Sequence, residues 1–243
     1  MRRYINIFQQ KTRMKHIYIL SMIIQIIFGF ILADIIAGIF HWFEDTYLAF
    51  NTELPFFDEI AKDNELHHYF PRSLVYYSNW DNVTYTLPVS LIFIGILILV
   101  GAPILKYIWF FSSFCFFFIT SNIIHKYSHM RECELSPFIR VLQKLNLLCS
   151  HEQHAVHHTT ENDGKYCVIS GFMNTVLDNL HFWRALECLI YIITGKLPNR
   201  KPGYDDYRNI HLPIHLETKM DCPPVPSEKN MRELKQKLSD YFR

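Results

Sequence analysis

The residues in this chain with the most chemistry to offer are its histidines, and their spacing matters more than their number. Nine of the 13 fall into four short clusters: His41; His67 and His68; His125 and His129; and His151, His154, His157 and His158. His125 and His129 are four apart, so a helix sets them on one face, one turn apart. His151, His154 and His158 follow at spacings of three and four and share a face in the same way, with His157 beside them. Neutral imidazole is a borderline ligand that suits iron, zinc and copper. So many histidines exceed one mononuclear site and suit two metals with about four ligands each.

Other polar residues extend the set. Asp34, Gly38, His41 and Asp45 form one helical stripe. An ionisable residue within an apolar run is expensive, which makes Asp34 a candidate catalytic residue. It has three possible uses: backing a metal-bound histidine, lining a substrate path, or pairing with a polar residue inside a bundle. Asp45 and Asn122, the latter one turn before His125, complete the candidate catalytic set. A hydrogen bond between helices is the alternative use of Asn122. His16, His181, His211 and His215 lie outside the pattern and read as ordinary histidines.

The elements that must position these groups are apolar runs. Ile17 to Phe40 would span roughly 36 Å as a helix, enough to cross a bilayer, and holds one charge, Asp34. Two more runs, about 83–101 and 104–124, have no polar face, and Gly101 and Pro103 mark a tight turn between them. Arg2, Arg3, Lys11, Arg13 and Lys15 precede the first run. That run is too long for a signal-peptide core and no small-residue cleavage site follows it, so it reads as a retained anchor.

Three crossings carry a parity argument. The first ends at His41, His67 and His68 sit in the following loop, and the hairpin returns His125 and His129 to the same side, where the last cluster follows directly. All four clusters therefore meet at one membrane face. Charge does not orient that face. The basic N-terminus favours a cytosolic start, whereas Lys126, Arg131, Arg140 and Lys144 beside the third run pull the other way.

The expected fold is an all-α integral membrane protein of about three transmembrane helices with a histidine-rich helical cap at one membrane face. A basic segment, 1–16, precedes a main domain, 17–200, and a tail, 201–243. Within the main domain, 136–149 and 180–194 read as amphipathic helices, either interfacial or core-facing. In the tail, the Pro-rich linker Cys222 to Pro226 leads to a short amphipathic helix capped by Ser227.

Composition excludes several classes. A net charge of +1 gives no basic field for nucleic acid. The six cysteines form no C-x-x-C pair and read as reduced thiols or packing residues. His151-Glu152-Gln153-His154 places its second histidine one position early for a zinc metalloprotease. There is no nucleophile-elbow, Walker or dinucleotide-binding glycine pattern.

Over residues 30 to 200 the chain resembles the Kua-type lipid desaturases, a family that includes plasmanylethanolamine desaturase and a plastid phosphatidylglycerol palmitate desaturase. Ala33-Asp34, Gly38, His41-Trp42 and Asp45 match one motif, and His67-His68-x-x-Pro71 a second. Asn122, His125, Lys126, Ser128 and His129 match a third, and His154-x-x-His157-His158 a fourth. Tyr166-Cys167, Gly171, Asn174 and Phe182-Trp183-Arg184 follow. The chain departs from the plasmalogen branch in lacking a histidine between Arg72 and Asn82 and in carrying Gln153, as the plastid branch does; His151 is a candidate compensating ligand.

The resemblance implies a membrane-bound di-iron desaturase. It would use O2 and electrons from cytochrome b5 or ferredoxin to place a double bond in a lipid alkyl or acyl chain. In a eukaryote the endoplasmic reticulum membrane is the expected location. The alternatives are a lipid hydroxylase with the same iron site and a metal-binding membrane protein without turnover.

Overall fold

A computed structural model describes residues 2–48, 55–69, 71–159 and 164–198; among these the chain is helical, with no strand. The expected tail helix, the linker before it, His211 and His215 lie outside the described residues. The helices are α1 (Arg2–Thr46), α2 (Pro55–Tyr69), α3 (Asn79–Leu99), α4 (Ile108–Ile119), α5 (Ser121–His129), α6 (Pro137–Lys144), α7 (His151–Thr159), α8 (Gly171–Asn179) and α9 (Phe182–Thr194).

α1 is one continuous helix that takes in the basic residues before the first apolar run. Its stretch Thr12–Thr46 and the whole of α3 are long and apolar enough to cross a membrane. α4 and α5 make a third crossing only if taken together, because they meet at a 45° bend. Ile17, Leu20, Ile27 and Phe28 on α1 and Leu91, Ile92 and Leu99 on α3 are exposed, as expected of side chains facing lipid. This is a helical membrane protein.

Local chemistry explains the helix ends. Ser78 caps α3, accepting from the Asp81 amide at 3.1 Å while Asp81 Oδ2 accepts from the Ser78 amide at 2.9 Å. Beyond its far end Gly101 adopts φ +70°, a left-handed turn residue at the expected hairpin. The bend between α4 and α5 falls at Thr120. There the Thr86 hydroxyl of α3 donates to the Ile119 carbonyl at 2.7 Å, and the Thr120 hydroxyl to the Phe116 carbonyl at 2.7 Å. Interrupted backbone inside an apolar environment needs such partners.

α1 packs chiefly along α4. Gly29 lets the backbones approach, with the Phe110 carbonyl and Ser113 lying where its Cβ would be, and the Ser113 hydroxyl donates to the Ile26 carbonyl at 2.8 Å. Ala33, Ala37, Phe114 and Phe118 continue this core toward Ile124, Leu148, Val168 and Ile169. A second core gathers Trp42, Tyr166, Met173, Leu177 and Trp183 on the other flank of α1. Thus α8 and α9 fold back along α1, with Leu186 and Ile190 of α9 packed inward and Leu189 exposed. α6 presents Phe138, Val141 and Leu145 outward.

Cys115, Cys149, Cys167 and Cys188 are free, and burial pushes the Cys149 thiol up to about 12. The reading of every cysteine as reduced is corrected at Cys133, which is disulfide-bonded. Spacing along the chain cannot reveal a pairing between distant cysteines.

A bidentate ion pair ties the short helical turn Pro71–Tyr76 to the loop after α5. Arg72 donates to both Glu134 oxygens, at 3.0 and 2.8 Å, and to the His129 carbonyl at 3.4 Å. Replacing Glu134 by Gln strands a buried guanidinium. The expected cost is roughly 2 kcal/mol, below the about 3–5 kcal/mol of a fully buried pair because the Glu134 side chain is 14% exposed. A lowered midpoint of thermal unfolding in detergent would register it.

Candidate metal centre

Three helical pairs deliver most of the ligands. His125 and His129 of α5, His154 and His158 of α7, and His41 and Asp45 of α1 each stand four residues apart, on one face of their helix. His67 and His68 come from the last turn of α2, a helix where a loop was expected. Their side chains form two buried groups: His67, His125, His129, His154 and His158 in one, and His41, Asp45, His68 and His157 in the other. Within each group one ligand atom per residue lies within 4.8 Å of all the others. The groups abut, with the His41 and His125 ring centroids 5.0 Å apart.

The geometry fits metal ions. In the five-histidine group His125 and His154 bring their Nε2 atoms to 2.8 Å, His125 and His129 to 3.2 Å, and His154 and His158 to 3.1 Å. Metal–nitrogen bonds of about 2.1 Å put ligand nitrogens at right angles about 3.0 Å apart. In the second group, His157 and His41 Nε2 lie 3.1 and 3.4 Å from Asp45 Oδ2 without hydrogen-bond geometry. Both nitrogens and that oxygen are buried polar atoms with no hydrogen-bond partner, as are both ring nitrogens of His67. Buried polar atoms rarely stay unpaired, and a cation shared among them satisfies the whole set.

Burial first, and then the neighbouring imidazoles, hold His67, His154 and His158 well below the usual histidine range. They are neutral, the form that binds metal. Asp45 supplies the one carboxylate; its Oδ1 accepts from Asn64 at 3.0 Å and lies 2.7 Å from His68 Nε2. Behind the second group, His41 Nδ1 donates to the Tyr166 carbonyl at 3.1 Å and His157 Nδ1 to the Gly164 carbonyl at 2.8 Å.

Beside the groups is a cavity of about 390 Å³. His41, His67 and His125 form part of its lining. Ala37, Phe40, Val89, Phe118 and Val168 are among its apolar lining residues, and Glu44, Asp63, Asn64, Tyr77, Tyr85 and Asn122 among its polar ones. Tyr77 and Tyr85 donate to Asp63 at 3.2 and 2.8 Å.

Of the residues singled out from the sequence, the structure gathers His41, His67, His68, His125, His129, His154, His157 and His158. It places Asp45 among the ligands rather than apart from them, and half-buried Asn122 on the cavity wall. His151 is brought into neither group: it is exposed at the start of α7, and its Nδ1 donates to the Ser128 carbonyl at 3.0 Å. Asp34 is buried away from the ligands and accepts from the Ile169 and Ser170 amides. Sequence reasoning missed the backbone carbonyls of Gly164 and Tyr166, which carry no side-chain signature.

Fold and centre together define a helical membrane protein built around a histidine-rich candidate metal site. The chain belongs to the lipid desaturase domain family, whose model matches residues 30–201. It is 31% identical to a probable fatty acid desaturase of Acanthamoeba polyphaga mimivirus, over 75% of this chain and 89% of that one. It is 29% identical to the chloroplastic fatty acid desaturase 4-like 1 of Arabidopsis thaliana, over 70% of this chain and 57% of that one. It is also 29% identical to the plasmanylethanolamine desaturase of Myxococcus xanthus, over 72% of this chain and 62% of that one. The match therefore spans nearly all of the viral relative and somewhat over half of the plant and bacterial ones. No solved structure matches the chain.

Proposed function

We propose that this protein is an O2-dependent desaturase of membrane lipids that places a double bond in an alkyl or acyl chain. The observation that carries this reading is a pair of buried histidine groups bordering a cavity lined by both apolar and polar side chains. Two iron ions held by His67, His125, His129, His154 and His158 and by His41, Asp45, His68 and His157 would supply the oxidising chemistry. The balance is complete: the lipid gives up two hydrogens from adjacent carbons, an external donor gives two electrons, two protons come from water, and O2 leaves as two waters.

The protein's own part is positioning. Neutral imidazoles present lone pairs inward, and the apolar lining of Ala37, Val89 and Phe118 aligns the chain and keeps water from it. The polar lining residues meet the headgroup. Electrons come from a carrier such as cytochrome b5 or ferredoxin. In a eukaryotic cell the setting is the endoplasmic reticulum membrane. Relatives named for fatty acid and plasmanylethanolamine desaturation make an acyl double bond and a vinyl ether the two products to look for.

The test is lipid mass spectrometry of desaturase-deficient cells expressing either wild-type protein or His158→Ala, with a competent electron donor present. A lipid two hydrogens lighter, formed by the wild type alone, is expected, and acid lability identifies a vinyl ether. An added oxygen in place of the double bond would make the protein a hydroxylase. No altered lipid would leave a metal-binding membrane protein.

A further inference from the structure

We infer that residues 164–170 form a strap that braces only one of the two ligand groups, and that Asp34 and Asn174 are positioning residues for that group. The inference rests on the two-metal reading above. The segment has no regular secondary structure. It lies against α1 in a groove opened by Gly38, where a Cβ would come within 2.9 Å of the Cys167 sulfur and 3.2 Å of Trp183.

Two of its carbonyls face the second group. The Gly164 carbonyl takes the Nδ1 proton of His157, and the Tyr166 carbonyl takes that of His41. Each bond fixes the tautomer with a proton on Nδ1 and leaves the Nε2 lone pair to face Asp45. The five-histidine group has no matching brace on three of its members: His67 Nδ1, His154 Nδ1 and His158 Nδ1 are all without a hydrogen-bond partner.

The strap is itself held at four points, the first being Lys165, whose amide donates to Asp178 Oδ1 at 3.4 Å and whose ammonium lies 3.0 Å from Asp178 Oδ2. The Asn174 side chain clamps Cys167, accepting from its amide at 2.7 Å and donating to its carbonyl at 2.8 Å. The Cys149 amide donates to the Ile169 carbonyl at 2.8 Å. Asp34 takes the Ile169 amide at 2.9 Å, the Ser170 amide at 3.1 Å and the Ser170 hydroxyl at 2.5 Å. Irregular backbone packed among apolar helices leaves its amides without water, and a carboxylate meets that demand. Asp34 therefore acts on His41 and His157 through the backbone, at a distance from the ligand atoms, and among the described residues no such carbonyl meets Nδ1 of His67, His154 or His158.

The consequence is selective. Loss of an outer partner costs a metal site about 10- to 100-fold in affinity, and here that loss falls on one site of two. The experiment is an anaerobic titration of metal-free, full-length protein in detergent with Co(II), followed by visible absorption and by bound metal. Wild type is expected to take up two equivalents. Asp34→Asn is expected to weaken one binding step by about 10- to 100-fold and leave the other unchanged. Ser170→Ala removes one of the three bonds to Asp34 with little risk to folding, and should move the same step less far.

The unfolding midpoint of the metal-free variants separates this from general loosening. Two steps that move together in Ser170→Ala, or neither step moving, overturn the inference while leaving the two-metal reading intact. A wild type that binds no metal overturns both.

Discussion

Asp45→Asn is expected to cut product formation by more than about 100-fold, because losing a group that holds the metal costs more than the about 10- to 100-fold that losing an outer partner does. Asp45 is the sole carboxylate of its group and approaches three imidazoles: His68 at 2.7 Å, His157 at 3.1 Å and His41 at 3.4 Å. The amide keeps the shape but drops the charge that would help hold a cation. Lipid mass spectrometry and metal content measured on one preparation check this. Bound metal should fall from two equivalents toward one, because the five-histidine group contains no part of Asp45. Full turnover in this variant would remove the second group from the chemistry.

Val89→Trp is expected to cut product formation by about 100-fold without loss of metal, the scale of a small misplacement of the reacting bond. Val89 lies on α3, which supplies no ligand, and lines the cavity with Ala37 and Phe118. An indole there fills space a lipid chain would use. Metal content and the unfolding midpoint should match wild type, and a shorter-chain lipid should recover part of the rate. Unchanged turnover of the native lipid would place the substrate elsewhere.

Much of this was readable from spacing alone. The pairs at i and i+4, His125 with His129 and His154 with His158, keep to one group because a helix turns back on itself about every 3.6 residues. The same rule joins Asp45 to His41, so that the candidate catalytic carboxylate falls into one group with His41, His68 and His157. Adjacent residues behave oppositely. His67 and His68, and likewise His157 and His158, point roughly 100° apart on their helices and so divide between the groups. Each doublet thus feeds two sites, which the sequence hints at only once the helices are known.

His151 shows the limit of spacing. It has the right interval from His154, but it opens its helix and its ring turns to a carbonyl of α5. The strap was hidden for a different reason. Its contacts with α1 join residues about 135 positions apart and run mainly through backbone amides, which every sequence has and none advertises. The bend at Thr120 was hidden as well, because the apolar run continues through it without a glycine or proline.

The placing of the cavity in a helical membrane protein has a kinetic meaning on the proposed reading. A lipid substrate would never dissolve in the medium, because it is part of the solvent around α1, α3 and α4. Its effective concentration is then a mole fraction among other lipids. Adding more vesicles of fixed composition then leaves the rate per enzyme unchanged, whereas diluting the substrate lipid with an inert one lowers it. On that reading, saturation curves for the lipid belong on an axis of surface composition rather than of bulk concentration.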